Sequence, residues 1–175
     1  MIRRLMKKKE RFERNGSMRF LMLCLCLLFA VLTTSVPAAE KEVPKPAARD
    51  KCPVCGMFVS KYPDWISVIV FKDGSRAFFD GPKDMFKYLF DMTRYSPAKN
   101  AGDIAFISVT DYYAVLPINA RDAWYVLGSD VYGPMGRELV PLAKRSDALE
   151  FMKDHKGQSI LRFQEVTKEV MKSLD

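Results

Sequence analysis

The sequence predicts an α+β protein made of two similar ββα-type halves behind an N-terminal leader and a short linker. Two β-rich runs flank Lys72-Asp73-Gly74-Ser75 and lead into a segment with a helical apolar stripe. An Asp-Gly between such runs is a strong hairpin signal, because glycine tolerates the positive φ of a tight turn. Further strand-like runs end in a second helical segment. Its start, Ser146-Asp147-Ala148-Leu149, has the polar, Asp, apolar register of Lys83-Asp84-Met85-Phe86, a weak internal repeat that shared helix-start chemistry also produces. A basic opening followed by a short apolar run separates all of this from the amino terminus.

Within residues 1–39 there are eight Lys/Arg and two acidic residues, which leaves 20 basic against 19 acidic in the rest of a chain whose net charge is +7. The body is therefore close to neutral and has no basic stripe, so nucleic acid is not an expected partner. Phe20 to Leu32 is an apolar run of 13 residues. At 1.5 Å per residue it is too short for a hydrocarbon layer of about 30 Å, and it has the length of a signal-peptide core. Small residues at Ser35, Ala38 and Ala39 offer a cleavage site. Residues 1–39 thus read as a signal peptide, with an uncleaved N-terminal anchor and hence membrane attachment as the open alternative. The expected location is periplasmic or on the outside face of the cell membrane. Leu23 before Cys24 is large where a lipoprotein signal wants a small residue, so lipidation is not expected. Residues 40–51 mix charge with Pro44 and Pro46 and read as a linker.

The folded part is expected over residues 52–175, in halves of about 52–100 and 101–175. Tyr62-Pro63-Asp64 makes a turn, and Ile66–Phe71 and Arg76–Asp80 form the hairpin. Gly81-Pro82 breaks the strand, and proline fits the first helical turn, where its missing N–H has no partner to lose. Met85, Phe86, Leu89, Phe90 and Met92 then place the apolar stripe on a helix of about ten residues. In the second half, Ile104–Val109 and Tyr112–Leu116 read as two more strands, Asn119–Asp122 leads into Ala123–Gly128, and Val131–Leu142 reads as a glycine-rich bend with a short strand. A helix starts at Ser146-Asp147 and stops at Lys156-Gly157. Gln158–Val166 reads as a strand, and Thr167–Leu174 as a terminal helix capped by Thr167.

The chemistry gathers at Cys52-Pro53-Val54-Cys55-Gly56-Met57. Thiolate and thioether donors favour Cu(I) over oxygen-seeking cations, so Cys52, Cys55 and Met57 are candidate metal ligands. Met135 joins them because it sits in the bend Gly133-Pro134-Met135-Gly136, where a packing methionine is unusual. Cys24 and Cys26 fall in the leader, so an exported chain keeps only Cys52 and Cys55, which an oxidising compartment tends to pair. A closed zinc site needs about four donors and finds one Cys-x-x-Cys and a lone His155, which reads as a solvated helix end. A thiol-disulfide oxidoreductase using the Cys-x-x-Cys pair stays open, as does a structural disulfide in an interaction module. Asp80 and Asp64 read as turn formers, and Trp65 and Trp124 as core. No serine elbow, His-Asp pair or phosphate loop is visible, so an enzyme is not the first expectation.

These segments resemble the NosL family, exported accessory proteins of nitrous oxide reductase maturation. The carriers are Cys55-Gly56-Met57, Lys61-Tyr62-Pro63-Asp64-Trp65, Asp80-Gly81-Pro82-Lys83-Asp84-Met85-Phe86 and Gly133-Pro134-Met135-Gly136-Arg137-Glu138-Leu139-Val140-Pro141. The resemblance implies two similar α+β halves related to part of organomercurial lyase. It implies a metallochaperone that binds Cu(I) and delivers it to a copper-accepting enzyme, such as nitrous oxide reductase, or to its assembly factors. It places Cys55, Met57 and Met135 where family ligands sit. Cys52 departs from the family's single cysteine and makes a two-thiolate site possible.

Overall fold

The computed structural model describes residues 43–175. The expected leader over 1–39 and the first part of the linker lie outside the described residues. The described residues belong to one compact unit. No helix among them is long and apolar enough to cross a membrane.

Two single 3-10 turns, Val59–Lys61 and Pro63–Trp65, follow the cysteine motif. Next comes the hairpin β1 (Ser67–Phe71) and β2 (Arg76–Phe79), paired antiparallel with Val68 opposite Phe78. The turn is closed as expected: Gly74 has φ 83°, and Asp73 Oδ1 accepts the Ser75 N–H at 3.0 Å. Helix α1 (Pro82–Phe90) starts two residues after β2, and a short helix α2 (Met92–Tyr95) continues it. Strand β3 (Ile104–Thr110) pairs with β1, and β4 (Pro117–Asn119) pairs with β3, giving one sheet in the order β2-β1-β3-β4.

The second sheet is β8-β5-β9, made of β5 (Trp124–Leu127), β8 (Val140–Leu142) and β9 (Ser159–Arg162). Between β5 and β8 stands a small hairpin, β6 (Tyr132–Gly133) with β7 (Gly136–Arg137). Helix α3 (Arg145–Asp154) follows β8. Helix α4 (Lys168–Ser173) ends the chain, with Thr167 Oγ1 accepting the Val170 N–H at 3.3 Å as its cap.

The mixed α+β class is as expected, but sheet pairing runs across residue 100. Strands β3 and β4, assigned to the second half from sequence, belong to the same sheet as β1 and β2. Residues 112–116 are also not a strand. Asp111 is 2% exposed, and its carboxylate accepts the N–H groups of Tyr113, Ala114 and Ala143 at 3.0, 2.7 and 2.5 Å. A buried carboxylate has to collect donors, and here it gathers the chain into a loop. The expected strand 158–166 shortens to β9, followed by a 3-10 turn at Phe163–Glu165.

One core lies between the sheets. Val68, Ile69, Phe79, Met85, Phe86, Ile107, Val109, Tyr125 and Leu139 are all essentially closed to solvent. Helix α1 is wedged there: Tyr88 meets Phe79 edge-on at 5.2 Å and Phe86 meets Tyr125 edge-on at 5.3 Å. Strand β5 alternates, so Tyr125 faces this core while Val126 faces a smaller one with Val140, Leu142, Ala148 and Phe151. Burying each such large side chain is worth about 1.5–3 kcal/mol, which fixes the start of α1 firmly in space.

Candidate metal centre

The cysteine motif forms a tight loop. Cys52 N–H donates to the Met57 carbonyl at 2.8 Å, Gly56 N–H to the Cys52 carbonyl at 2.9 Å, and Val59 N–H to the Asp50 carbonyl at 3.0 Å. Gly56 has φ 81°, a left-handed conformation that residues with a Cβ rarely adopt. The loop turns both thiols to one side, with Cys52 1% exposed and Cys55 half-buried. Backbone N–H groups of Cys55 and Val54 point at the Cys52 sulfur, and that of Met57 at the Cys55 sulfur.

Opposite them lies the β2–α1 junction. Because only Asp80 and Gly81 separate strand from helix, Asp80 and Asp84, in the third helical position, come to the same place. Both are buried, at 1% and 3% exposure. Cys52 Sγ donates to Asp84 Oδ2 at 3.3 Å, and Cys55 Sγ lies 3.3 and 3.4 Å from Asp80 Oδ1 and Oδ2. One donor atom from each of the four residues lies within 4.8 Å of every other.

The electrostatics follow from this crowding. Burial, opposed by the Cys55 N–H, pushes the Cys52 thiol far above its usual range. Burial likewise pushes Cys55 up to about 12, against the Met57 N–H. Burial also raises Asp84, although the neighbouring thiols act to lower it. Without a cation, the thiols keep their protons and give hydrogen bonds to carboxylates. A cation with an affinity for sulfur changes that balance, because it replaces the thiol protons and neutralises charge that water does not reach.

Of the four sulfur residues expected from sequence, Cys52 and Cys55 converge. Met57 is half-buried next to them, and its Sδ accepts the Tyr62 hydroxyl at 3.6 Å. Met135 sits in the β6–β7 turn, 44% exposed, and its carbonyl accepts the Lys83 ammonium at 2.7 Å. That contact brings the hairpin beside the first turn of α1. His155 caps the C-terminus of α3, pairs with Asp130 at 3.3 Å and lies tilted against Phe151 at 4.3 Å between ring centroids, and it is not a member of the cysteine–aspartate cluster.

Sequence reasoning missed the two carboxylates. Asp80 looked like a turn former and Asp84 like helix-start chemistry. The signal that was present is their spacing of four around a Gly-Pro, which puts both at one helix start, where the helix dipole favours negative charge. Lys83 and Glu138 were missed as well. Glu138 is wholly buried, and burial pushes it up to about 8 despite the Leu139 and Lys83 N–H groups it accepts.

A solution structure of apo-NosL from Achromobacter cycloclastes resembles the chain at 26% identity, covering 60% of this chain and 87% of that one, with a TM-score of 0.43. The crystal structure of the copper chaperone NosL from Shewanella denitrificans is similar at 25% identity and a TM-score of 0.63, covering 74% of this chain and 98% of that one. The copper-binding lipoprotein NosL of Stutzerimonas stutzeri is 30% identical over 121 residues, and the match spans 67% of this chain and 62% of that protein's length. The NosL family model matches residues 43–171, a span that holds the cysteine loop, both buried aspartates and the methionine hairpin, and on that match the chain belongs to the NosL family.

Proposed function

We propose that this protein is an exported Cu(I) metallochaperone. It binds one Cu(I) through the thiolates of Cys52 and Cys55, with Met57 and Met135 as thioether ligands, and passes the ion to a copper-accepting enzyme or its assembly factors. The observation that carries this reading is the pair of free thiols turned to one side of a closed loop, against two buried carboxylates. Sulfur donors select the monovalent ion, and the carboxylates hold the thiols in their metal-free orientation. Uptake displaces the thiol protons, and the half-buried side at Cys55 is where an acceptor's sulfur gains access, so transfer proceeds by ligand exchange. The relatives' names support the cargo and the chaperone role, and the lipoprotein relative supports export to the periplasm by the leader over 1–39. Nitrous oxide reductase is the recipient that the family resemblance points to.

The oxidoreductase alternative needs a Cys-x-x-Cys thiol lowered at a helix N-terminus. Here the cysteines sit in a turn, burial raises both, and the nearby helix N-terminus faces aspartates, so the chaperone reading is preferred. Competition for Cu(I) against bicinchoninate tests it: the reduced protein takes up one equivalent, and Cys55→Ser largely abolishes uptake. Thiol-exchange turnover without Cu(I) affinity overturns it.

A further inference from the structure

A buried latch ties the β6–β7 hairpin to the start of α1. The Lys83 side chain, 3% exposed, extends from the second helical position and donates to the Met135 carbonyl at 2.7 Å and to the Leu174 carbonyl at 3.4 Å. In the other direction, Glu138, just past β7, accepts the Lys83 backbone N–H at 2.6 Å and the Leu139 N–H at 2.9 Å. It thereby satisfies one of the orphan donors at the helix start. Two glycines make room for it: a Cβ at Gly81 would lie 2.3 Å from Glu138 Oε2, and one at Gly133 would lie 3.0 Å from Glu138 Cγ. A surface hairpin of two-residue strands has no core of its own and is marginal in isolation. Its place over the helix start is set by Lys83 and Glu138.

The geometry points to Lys83 and Glu138 as positioning residues that hold the Met135 turn beside the cysteine–aspartate cluster, so that this methionine stands ready as a ligand. This inference rests on the Cu(I) reading above and deepens it. Lys83 is adjacent in sequence to Asp84, which bonds Cys52, so one helical turn carries both the carboxylate under the thiols and the ammonium that fixes the hairpin. Neither Lys83 nor Glu138 needs to touch the ion. Preorganisation lowers the ordering cost of bringing a third sulfur to the metal, and groups that orient metal ligands typically change affinity by about 10–100-fold when removed.

The test is a double-mutant cycle on the full reduced chain, read as Cu(I) affinity by bicinchoninate competition. Lys83→Leu is expected to lower affinity about tenfold, and Met135→Ala at least as much. The combined variant is expected to be no worse than Met135→Ala alone, because the latch acts only through that side chain. Gly133→Ala, which presses on Glu138 from the hairpin side, should show the same non-additivity and serves if Lys83→Leu does not fold. Additive losses, or an unchanged affinity in both Lys83→Leu and Gly133→Ala, overturn the latch. If Met135→Ala is silent while Cys55→Ser abolishes uptake, the latch is wrong and the Cu(I) reading stands. If Cys55→Ser is also silent, the reading beneath it fails.

Discussion

Helices α1 and α3 begin with the same local pattern and come to opposite ends. Each follows a strand and carries an aspartate at its third position, Asp84 and Asp147. Asp84 is buried with Lys83, Met85 and Phe86 between two sheets, and it receives a hydrogen from Cys52. Asp147 is half-buried beside the exposed Ser146, whose hydroxyl it accepts at 2.8 Å, and α3 buries only Ala148 and Phe151. The helix-start chemistry is shared, so it does not make the site. What differs is the surroundings: a cysteine loop bonded to Asp84 and a methionine hairpin bonded to Lys83 in the same first turn of α1, and a core that keeps water from the carboxylates.

The comparison breaks most sharply at the thiols. Cys55→Ser should lower Cu(I) affinity by more than about 100-fold, the upper end of effects seen around metal sites, while Asp147→Asn leaves it unchanged; equal effects would sink the assignment. Next comes pH. Burial raises both thiols, Cys55 to about 12, so Cu(I) must displace protons throughout the neutral range. Affinity should therefore fall as pH falls, by up to about tenfold per pH unit for each proton displaced. A flat titration between pH 6 and 8 contradicts thiol ligation.

A smaller contrast concerns stability without metal, where the two aspartates should respond with opposite sign. Burial raises Asp84, so its folded pKa lies above the unfolded value. The stability it contributes is intact at acid pH and is lost as pH rises through the folded pKa. Asp84→Asn should therefore raise the thermal midpoint at neutral pH, with the gain shrinking below pH 4. Asp147→Asn should lower stability by about 0.5 kcal/mol, the worth of a charge in the first turn of an exposed helix. Glu138 extends the argument, since its pKa is raised from 4.5 to about 8. Its contribution is complete below about pH 4.5 and is lost towards pH 8, and Glu138→Gln should flatten that part of a denaturant-midpoint profile. Tyr62→Phe removes one hydroxyl-to-thioether bond and should have an equally small cost, about 0.5 kcal/mol.

Legibility in the sequence tracked the range of the interaction. The β1–β2 turn, the break at Gly81-Pro82 and the Thr167 cap are set by neighbours within three residues, and each is where the pattern placed it. The pair of thiols was legible for the same reason, since Cys52 and Cys55 are three residues apart. The carboxylates were not, because their partners are 32 and 25 residues away; their spacing around Gly81-Pro82 puts both at one helix start but does not say that thiols meet them there. The Lys83–Glu138 contact spans 55 residues. Residues 112–116 misled for a related reason: their apolar run has strand character, but Asp111 draws in the N–H of Ala143, 32 residues on. The pairing of β3 with β1 across the expected boundary is likewise a long-range choice, made by Ile107 and Val109 entering the core beside Ile69.

X-ray absorption at the copper edge of the reduced, copper-loaded chain tests the central claim most directly. A first shell of sulfur neighbours that loses scatterers in Cys55→Ser is the predicted result. A shell of oxygen and nitrogen alone, with the thiols still protonated, would contradict it.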